Sequence, residues 1–182
     1  MKLTVVRHTS VDVAKGICYG KTDVPLASTF ATEMHEVRQA IGAQKFDRIF
    51  SSPLGRCLRL AREVNTDQAI AVDANLIELD FGDWEMADWN SIYDSQSGKE
   101  WFADYVNTPC PNGEAFLDLI ARMRSFLLTV RSSQAKSVLV FTHAGNLRAL
   151  MCLLGGQAPA AAFNTALDYG QILSFRLEDN ES

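Results

Sequence analysis

Two histidines follow apolar runs that lie far apart in the chain. His8 comes after residues 3–6 and Arg7, and His143 comes after residues 137–141 and Thr142. A single histidine beside an apolar run is more often structural than functional. Two of them, each with an arginine nearby, favour a shared site in which imidazoles and guanidinium groups act on an anion.

Both runs are rich in β-branched residues and break into polar residues, which is typical of buried strands that leave a sheet. In open α/β sheets, ligands bind at the carboxyl edge of the strands. We therefore expect the two histidines to lie at that edge with the residues around them. Residues 11–26 contain Gly16, Gly20 and Pro25 with little periodicity, so they predict a loop that passes over this edge.

A further cation, Arg56, lies at the beginning of a predicted helix. Ser52 and Pro53 are a helix-start signal and predict a helix over 54–64. The free N–H groups and the positive dipole end of its first turn favour an anion, and the guanidinium of Arg56 matches phosphate oxygens two at a time. Arg59 and Arg62 on the same helix are interpreted as a solvated face.

Glu78 is the carboxylate singled out in segment 76–85, where acidic and large apolar residues alternate. Its neighbours Ile77 and Leu79 predict that its side chain is partly buried. An edge strand with its acidic face in water is the alternative interpretation of this segment.

The rest of the chain alternates strands with helices. Helical spacing predicts a helix from Ser28 to Gly42, with His35 solvated, and a longest helix that begins at 113–114. Its apolar face is formed by Phe116, Ile120, Met123, Leu127 and Val130. Strands are predicted over 46–51, 69–72 and 171–177, a helix over 146–154, and an excursion with irregular helical turns beside the site over 87–113. The predicted fold class is α/β, a single domain over 1–182 with a mostly parallel sheet flanked by helices on both faces.

Composition narrows the function further. The 182 residues are enough for one large core, and the net charge of −5 argues against a nucleic-acid surface, so an anionic substrate needs a local basic pocket. The four cysteines form no C-x-x-C pair and indicate reduced thiols in the cytoplasm. No apolar run is long enough for a signal peptide or a membrane span. We expect a cytoplasmic protein whose partner is a small molecule and not a membrane; a homodimer is compatible with the sequence.

Taken in order, six segments resemble those of the histidine phosphatase (phosphoglycerate-mutase-like) superfamily, and within it the α-ribazole phosphatases. They are RHTS at 7–10, CYGKTDVPL at 18–26, SSPLGR at 51–56, ELDFGDWE at 78–85, PNGE at 111–114 and THAGNLR at 142–148. The Arg-His pair alone is a weak signal, whereas six ordered matches are specific. The resemblance implies the same α/β fold.

The resemblance also implies roles for individual residues. His8 would be the nucleophile that takes a phosphoryl group, with Arg7, Arg56 and His143 around the phosphate and Glu78 as proton donor. The substrate would be contacted by Thr9, Ser10, Tyr19, Gly20, Ala144 and Asn146. Elementary chemistry agrees with the first of these roles, because an imidazole attacks phosphorus only while one nitrogen is free and the other is held as N–H. No metal or cofactor is required, and the sequence offers no cluster of metal ligands.

The implied activity is a metal-independent phosphomonoesterase with a phosphohistidine intermediate, acting on α-ribazole 5′-phosphate in cobalamin biosynthesis. A phosphoglycerate mutase or a broad-specificity sugar-phosphate phosphatase is the alternative enzyme; the short chain argues against the mutase. A phospholigand-binding protein without activity is the alternative outside the enzymes, although all five core positions are filled. The chain departs from the family at Thr9, Ala14 and Met86, where the family commonly has glycine, asparagine and glycine.

Overall fold

The computed structural model describes residues 1–65 and 67–177. Within these residues, five strands form one sheet: β1 Lys2–Arg7, β2 Arg48–Ser51, β3 Ile70–Val72, β4 Ser137–Thr142 and β5 Ile172–Arg176. Their order across the sheet is β3-β2-β4-β1-β5, and only β5 runs antiparallel to its neighbour. The predicted α/β class and mostly parallel sheet are confirmed. The last five residues of the predicted domain lie outside the described residues.

The helices of the described chain are α1 Phe30–Ile41, α2 Gly55–Val64, α3 Trp89–Asp94, α4 Gln96–Ala103, α5 Phe116–Ser132, α6 Ala144–Gly155 and α7 Pro159–Phe163. None of the described helices has the length and apolarity needed to span a membrane. His35 on α1 and both Arg59 and Arg62 on α2 are exposed, as predicted.

Alternation along the central strands divides the core into two layers. Leu3, Val5 and Val140 pack against α5 and α6 on one face of the sheet, while Val6 and Phe141 pack against α1 and α2 on the other. Side chains two residues apart in a strand point to the same face, so β1 and β4 are apolar on both faces. Helices therefore cover both faces, and Arg7 and Thr142 stand at the carboxyl ends of the two strands.

The longest helix is α5, and it packs on the sheet as its spacing predicted. All five residues of its predicted apolar face are buried: Phe116, Ile120, Met123, Leu127 and Val130. Burying a side chain of this kind contributes about 1.5–3 kcal/mol. The role of α5 is therefore mainly to stabilise the sheet that carries the site.

Helix α2 begins at Gly55, one residue after the start of the predicted helix over 54–64. Leu54 is extended (φ −65°, ψ 135°) and precedes the first helical residue, Gly55. The Gly55 N–H donates to both carboxylate oxygens of Asp23, at 2.9 and 3.0 Å. The cap comes from the distant loop 11–26, because Ser52 Oγ is used elsewhere, and Arg56 remains in the first turn.

Three further local expectations change in the structure. Segment 76–85 forms no strand, so the edge-strand interpretation is wrong; the 3₁₀ turns Ala74–Leu76 and Gly82–Trp84 flank Glu78. The excursion over 87–113 contains the short helices α3 and α4. Helix α6 begins at Ala144, two residues before the start of the predicted helix over 146–154. The short helix α7 was not predicted from the sequence.

Candidate active site

His8 and His143 meet at the carboxyl edge because their strands are neighbours in register. Arg7 of β1 pairs with Thr142 of β4, and each histidine is the next residue in its chain. The two imidazole centroids are 5.2 Å apart, with the ring planes at 64°. Both side chains are buried, so the sheet brings together two imidazoles that lie 135 positions apart in sequence.

The environment of His8 fixes its tautomer and its charge. Its Nδ1 lies 2.7 Å from the Thr9 carbonyl oxygen, which can only accept, so Nδ1 carries the proton and Nε2 keeps a free lone pair. Burial, followed by the positive charges of Arg56 and Arg7, lowers the pKa of His8 to about 3. The imidazole is therefore neutral and nucleophilic near pH 7.

His143 is also held neutral, by a different set of neighbours. The Nε of Arg56 donates to His143 Nδ1 at 3.2 Å, and His143 Nε2 lies 2.9 Å from Ser52 Oγ. With Nδ1 accepting, Nε2–H is the donor to the Ser52 hydroxyl. Burial and then the charge of Arg56 lower the pKa of His143 well below its usual value.

The guanidinium of Arg56 joins helix α2 to the loop over the site. Its terminal nitrogens donate to the carbonyl oxygens of Thr22 and Gly20, at 2.7 and 2.5 Å. Arg7 donates to the carbonyl oxygen of Leu167 at 2.5 Å. Among the described residues, no salt bridge includes Arg7 or Arg56. Because their hydrogen-bond acceptors are neutral, the positive charge beside His8 is not compensated by a carboxylate and favours an anion.

Glu85 holds the loop residues that face Arg56. Its carboxylate accepts from the backbone N–H groups of Gly20, Lys21 and Thr22 at 3.0–3.2 Å, from the Thr22 hydroxyl at 2.5 Å and from the Phe81 N–H at 3.1 Å. Gly20 is required here because a Cβ would lie 1.9 Å from the Leu79 carbonyl oxygen. The loop is therefore tied to segment 79–85 by one half-buried carboxylate.

Glu78 is partly buried, as predicted, and lies against the first turn of α6. Its Oε2 accepts from the Gly145 N–H at 3.1 Å, and its Oε1 accepts from the Leu79 N–H at 2.9 Å. A Cβ on Gly145 would lie 2.2 Å from Glu78 Oε1. Glycine at 145 therefore allows the Glu78 carboxylate to reach the N-terminus of α6. One of the free N–H groups of that first turn donates to Glu78.

A cavity of about 250 Å³ opens beside His8. Five of the predicted site residues line it: Arg7, His8, Tyr19, Glu78 and Ala144. Much of the remaining wall is apolar and is formed by Phe81, Trp89, Phe116, Leu119 and Phe163. Arg148 adds a second guanidinium. The cavity thus joins an imidazole, a carboxylate and cations to an aromatic wall.

The other predicted site residues are not in the cavity wall. Arg56 and His143 are buried and bonded to each other, and Gly20, in loop 11–26, packs against the Leu79 carbonyl oxygen. Thr9 is fully buried, while the Ser10 N–H donates to Glu33. The amide of Asn146 donates to the Ile77 carbonyl oxygen at 3.3 Å, so it supports segment 75–78 and does not face the cavity.

Three residues near the site were not assigned a role from the sequence. Glu85 and Arg148 lie within the quoted segments, and their charge was the signal that could have identified them. Tyr169, whose ring centroid is 5.6 Å from that of His8, comes from the loop before β5. The position of Tyr169 depends on the antiparallel pairing of β5 with β1, and no local sequence pattern predicts that pairing.

The departures at Thr9 and Met86 have visible consequences. Thr9 is accommodated with a fully buried side chain whose hydroxyl has no hydrogen-bond partner in the described chain. Met86 adopts a φ of 66°, the left-handed region in which glycine is least strained.

Within the described residues, no group of three or more His, Cys, Asp or Glu side chains is placed to hold a metal ion.

Known proteins resemble this chain over nearly its whole length. A Hydrogenobacter thermophilus protein whose name proposes phosphoserine phosphatase activity is 28% identical, over 100% of this chain and 92% of its own. The adenosylcobalamin/α-ribazole phosphatase of Escherichia coli is 27% identical, over 93% of this chain and 87% of its own. The crystal structure of the α-ribazole phosphatase from Shigella flexneri superposes with a TM-score of 0.89 at 23% identity, over 98% of this chain and 91% of its own.

The family comparison agrees with the geometry of the two strand-end histidines. The model of the histidine phosphatase superfamily (branch 1) matches residues 3–182. This match covers almost the entire chain and includes all the segments that converge on His8. The chain belongs to the histidine phosphatase superfamily.

Proposed function

We propose that this chain is a phosphomonoesterase that transfers the phosphoryl group of a small phosphorylated metabolite to Nε2 of His8 and then to water. The observation that carries the proposal is the state of His8. Its imidazole is buried and neutral, Nδ1–H is bound to the Thr9 carbonyl, and Arg7 and Arg56 lie beside it without carboxylate partners. This is what attack on a phosphate ester requires.

In the first step, the Nε2 lone pair forms a bond to phosphorus while the bond to the ester oxygen breaks. Glu78 in its protonated form gives the leaving alkoxide a proton. In the second step, Glu78 takes a proton from water, the water oxygen attacks phosphorus, and the bond to Nε2 breaks. Arg7 and Arg56 stabilise the charge on the phosphoryl oxygens in both steps.

The cavity wall favours a substrate whose alcohol portion carries an aromatic group. Phe81, Trp89 and Phe116 present ring surface close to Glu78, where the leaving group would lie. The base of α-ribazole 5′-phosphate is a flat, apolar bicycle that suits such a wall. The E. coli relative named for α-ribazole supports the same substrate.

A carboxylate-bearing phosphate ester is the second candidate, and Arg148 is the observation that favours it. Arg148 lines the cavity, one of its terminal nitrogens donates to the Thr165 carbonyl oxygen at 3.1 Å, and no salt bridge among the described residues includes it. A guanidinium in this state could bind the carboxylate of phosphoserine or 3-phosphoglycerate. The second of these is also the substrate of a phosphoglycerate mutase, which would return the phosphoryl group to the substrate instead of releasing it.

A panel of phosphate esters distinguishes these substrates. Phosphate release is measured from α-ribazole 5′-phosphate, phosphoserine, 3-phosphoglycerate, simple sugar phosphates and nucleotides, and isomerisation of 3-phosphoglycerate is measured in parallel. We expect the highest kcat/KM for α-ribazole 5′-phosphate and no isomerisation. A higher value for phosphoserine, lost on exchange of Arg148 for Met, would favour the second candidate.

Replacing His8 tests the proposed mechanism. His8→Ala should abolish turnover and the phosphorylated protein trapped by acid quench from ³²P-labelled substrate, because no other imidazole has its Nε2 free at the cavity. His35→Ala, an exposed change on α1, is the matched control and should keep both. Activity of His8→Ala above about 10% of the parent would exclude His8 as the nucleophile, since loss of a nucleophile normally costs several orders of magnitude.

A further inference from the structure

Two tyrosines from distant parts of the chain meet over the phosphoryl site. The hydroxyl oxygens of Tyr19 and Tyr169 are 2.7 Å apart, and 150 positions separate the residues in sequence. We call this pair the tyrosine bridge. Burial, followed by the hydrogen bond to Tyr169, raises the pKa of Tyr19, so its hydroxyl keeps its proton near neutral pH. The bridge therefore joins loop 11–26 to the loop before β5 through neutral groups.

Each ring of the tyrosine bridge lies near one of the two site arginines. The guanidinium carbon of Arg7 is 4.0 Å from the Tyr169 ring centroid, and that of Arg56 is 5.5 Å from the Tyr19 ring centroid. A cation over the face of an aromatic ring within about 6 Å is attracted by the ring quadrupole. The 4.0 Å distance makes the Arg7 contact the closer one.

Few hydrogen bonds fix the guanidinium of Arg7. One terminal nitrogen donates to the Leu167 carbonyl oxygen, while the buried Nε has no partner in the described chain. The loop that carries Tyr169 is itself fixed to the end of β1, because the Gly170 N–H donates to the His8 carbonyl oxygen at 3.1 Å and the Arg7 N–H donates to the Gln171 carbonyl oxygen at 2.9 Å. The ring thus supplies the main contact over the guanidinium face.

We propose that Tyr169 is a positioning residue that holds the Arg7 guanidinium beside His8 for binding of the phosphoryl group. The inference rests on the proposed function and adds a residue whose ring packs over the Arg7 guanidinium and lies beside the His8 ring, with the two centroids 5.6 Å apart, while taking no part in bond making. The ring face carries this role, because it is the face that Arg7 contacts. The hydroxyl link to Tyr19 is a separate contact that orients the ring.

The experiment compares substitutions that keep or remove the ring. Inorganic phosphate affinity is measured by isothermal titration calorimetry, and kcat and KM are measured with p-nitrophenyl phosphate. Tyr169→Phe keeps the ring and should stay within about threefold of the parent in both assays. Tyr169→Met, which has no ring, should weaken phosphate binding and raise KM by about tenfold, the usual worth of such a contact when partly desolvated, with a smaller change in kcat.

Controls separate positioning from a general loss of structure. Tyr169 is 40% exposed, so Met at this position should leave the core and the midpoint of thermal unfolding intact. Tyr93→Met, an exposed change on α3, should bind phosphate like the parent. If Tyr169→Met binds phosphate as tightly as the parent, or if Tyr169→Phe is weakened as much as Tyr169→Met, the positioning role is wrong.

The two assays also distinguish this inference from the proposed function. A parent protein that binds phosphate in a Tyr169-dependent way but hydrolyses no ester would retain the positioning role and contradict the phosphatase. A parent that hydrolyses esters while Tyr169→Met binds phosphate unchanged would retain the phosphatase and contradict the positioning role.

Discussion

Glu78 differs from two nearby carboxylates, Glu85 and Glu114, in what its oxygens bind. Glu85 accepts five hydrogen bonds, and Glu114 pairs with Arg122 at 2.7 and 2.8 Å. Within residues 1–65 and 67–177, Glu78 accepts two backbone N–H groups, and it lines the cavity. It is therefore the carboxylate of the three that can exchange a proton with a bound ester at modest cost.

Replacing Glu78 by glutamine should slow esters with poor leaving groups far more than esters with good ones. An alkyl alkoxide needs a proton as it leaves, whereas p-nitrophenolate does not, and general acid catalysis is typically worth about 10²–10⁴-fold. The measurement is kcat/KM of Glu78→Gln and the parent with glycerol phosphate and with p-nitrophenyl phosphate.

Gln at 78 keeps the size of the side chain, so it retains the contact with Gly145 through its carbonyl oxygen. Glu100→Gln on the exposed surface of α4 is the matched control and should slow neither ester. Equal slowing of both esters by Glu78→Gln would assign the general acid to another group.

At the scale of elements, the backbone of segment 75–78 is held from two sides. Arg122 of α5 donates to the carbonyl oxygens of Asn75 and Ile77 at 2.9 and 3.0 Å, and the Asn146 amide on α6 donates to Ile77 as well. Glu114, which pairs with Arg122, also accepts from the Asp80 N–H at 3.0 Å. Two helices thus position the irregular segment that presents Glu78.

Some features of the site could be predicted from local sequence patterns, whereas others depend on contacts between distant segments. The strands ending at His8 and His143 are set by local apolar patterns, and parallel neighbours place their ends together. The start of α2 depends on Asp23 in a distant loop, and the Asn146 side chain depends on the packing of α6 against segment 75–78. Contacts between distant segments leave no pattern in local residue spacing. The sequence could therefore predict which residues lie near the site, but it could not predict where the Asn146 side chain points.

The loop over the site should be sensitive to the anchor that ties it to segment 79–85. Glu85→Gln places an amide NH₂ among backbone N–H donors, so part of the five-bond acceptor set is lost. Hydrogen bonds to a charged acceptor contribute about 1.5–3 kcal/mol each, and we expect the free energy of unfolding to fall by about 2 kcal/mol. Urea denaturation measures this change.

The same substitution should also lower kcat/KM by at least about tenfold, because the Gly20 and Thr22 carbonyls orient Arg56 and move with the loop. Asp83→Asn is the control, since Asp83 is exposed and bonds the Asn112 side chain. Activity equal to the parent's in Glu85→Gln would show that the loop keeps its position without this anchor.

Across the whole molecule, the site is assembled from segments that are remote in sequence. Arg7 ends β1 and His8 follows it, Arg56 lies on α2, Glu78 follows a 3₁₀ turn, and His143 follows β4. Each group that carries chemistry is therefore positioned by the packed core and not by its own loop. Because the site histidines are buried in this core, their protonation changes the free energy of unfolding of the whole domain.

The free energy of unfolding should therefore fall as the pH is lowered from 7.5 to 5. In the folded protein the pKa of His8 is lowered to about 3 by burial and then by Arg56, and the pKa of His143 is lowered as well. In the unfolded chain a histidine titrates near 6.5. Below that pH the unfolded chain binds protons that the folded protein does not, so stability is complete above about pH 6.5 and is lost towards pH 3.

The expected loss at pH 5 from His8 is about 2 kcal/mol, since each pH unit below 6.5 is worth about 1.4 kcal/mol per proton, and His143 adds to the loss in the same direction. Urea denaturation of the parent and of His8→Asn at pH 7.5 and pH 5 measures it. Asparagine does not titrate, so His8→Asn should lose clearly less stability over this interval than the parent, because only His143 then contributes. Equal stability of the parent at both pH values would mean that the two imidazoles are not buried in their neutral form. His8 would then not be a neutral nucleophile.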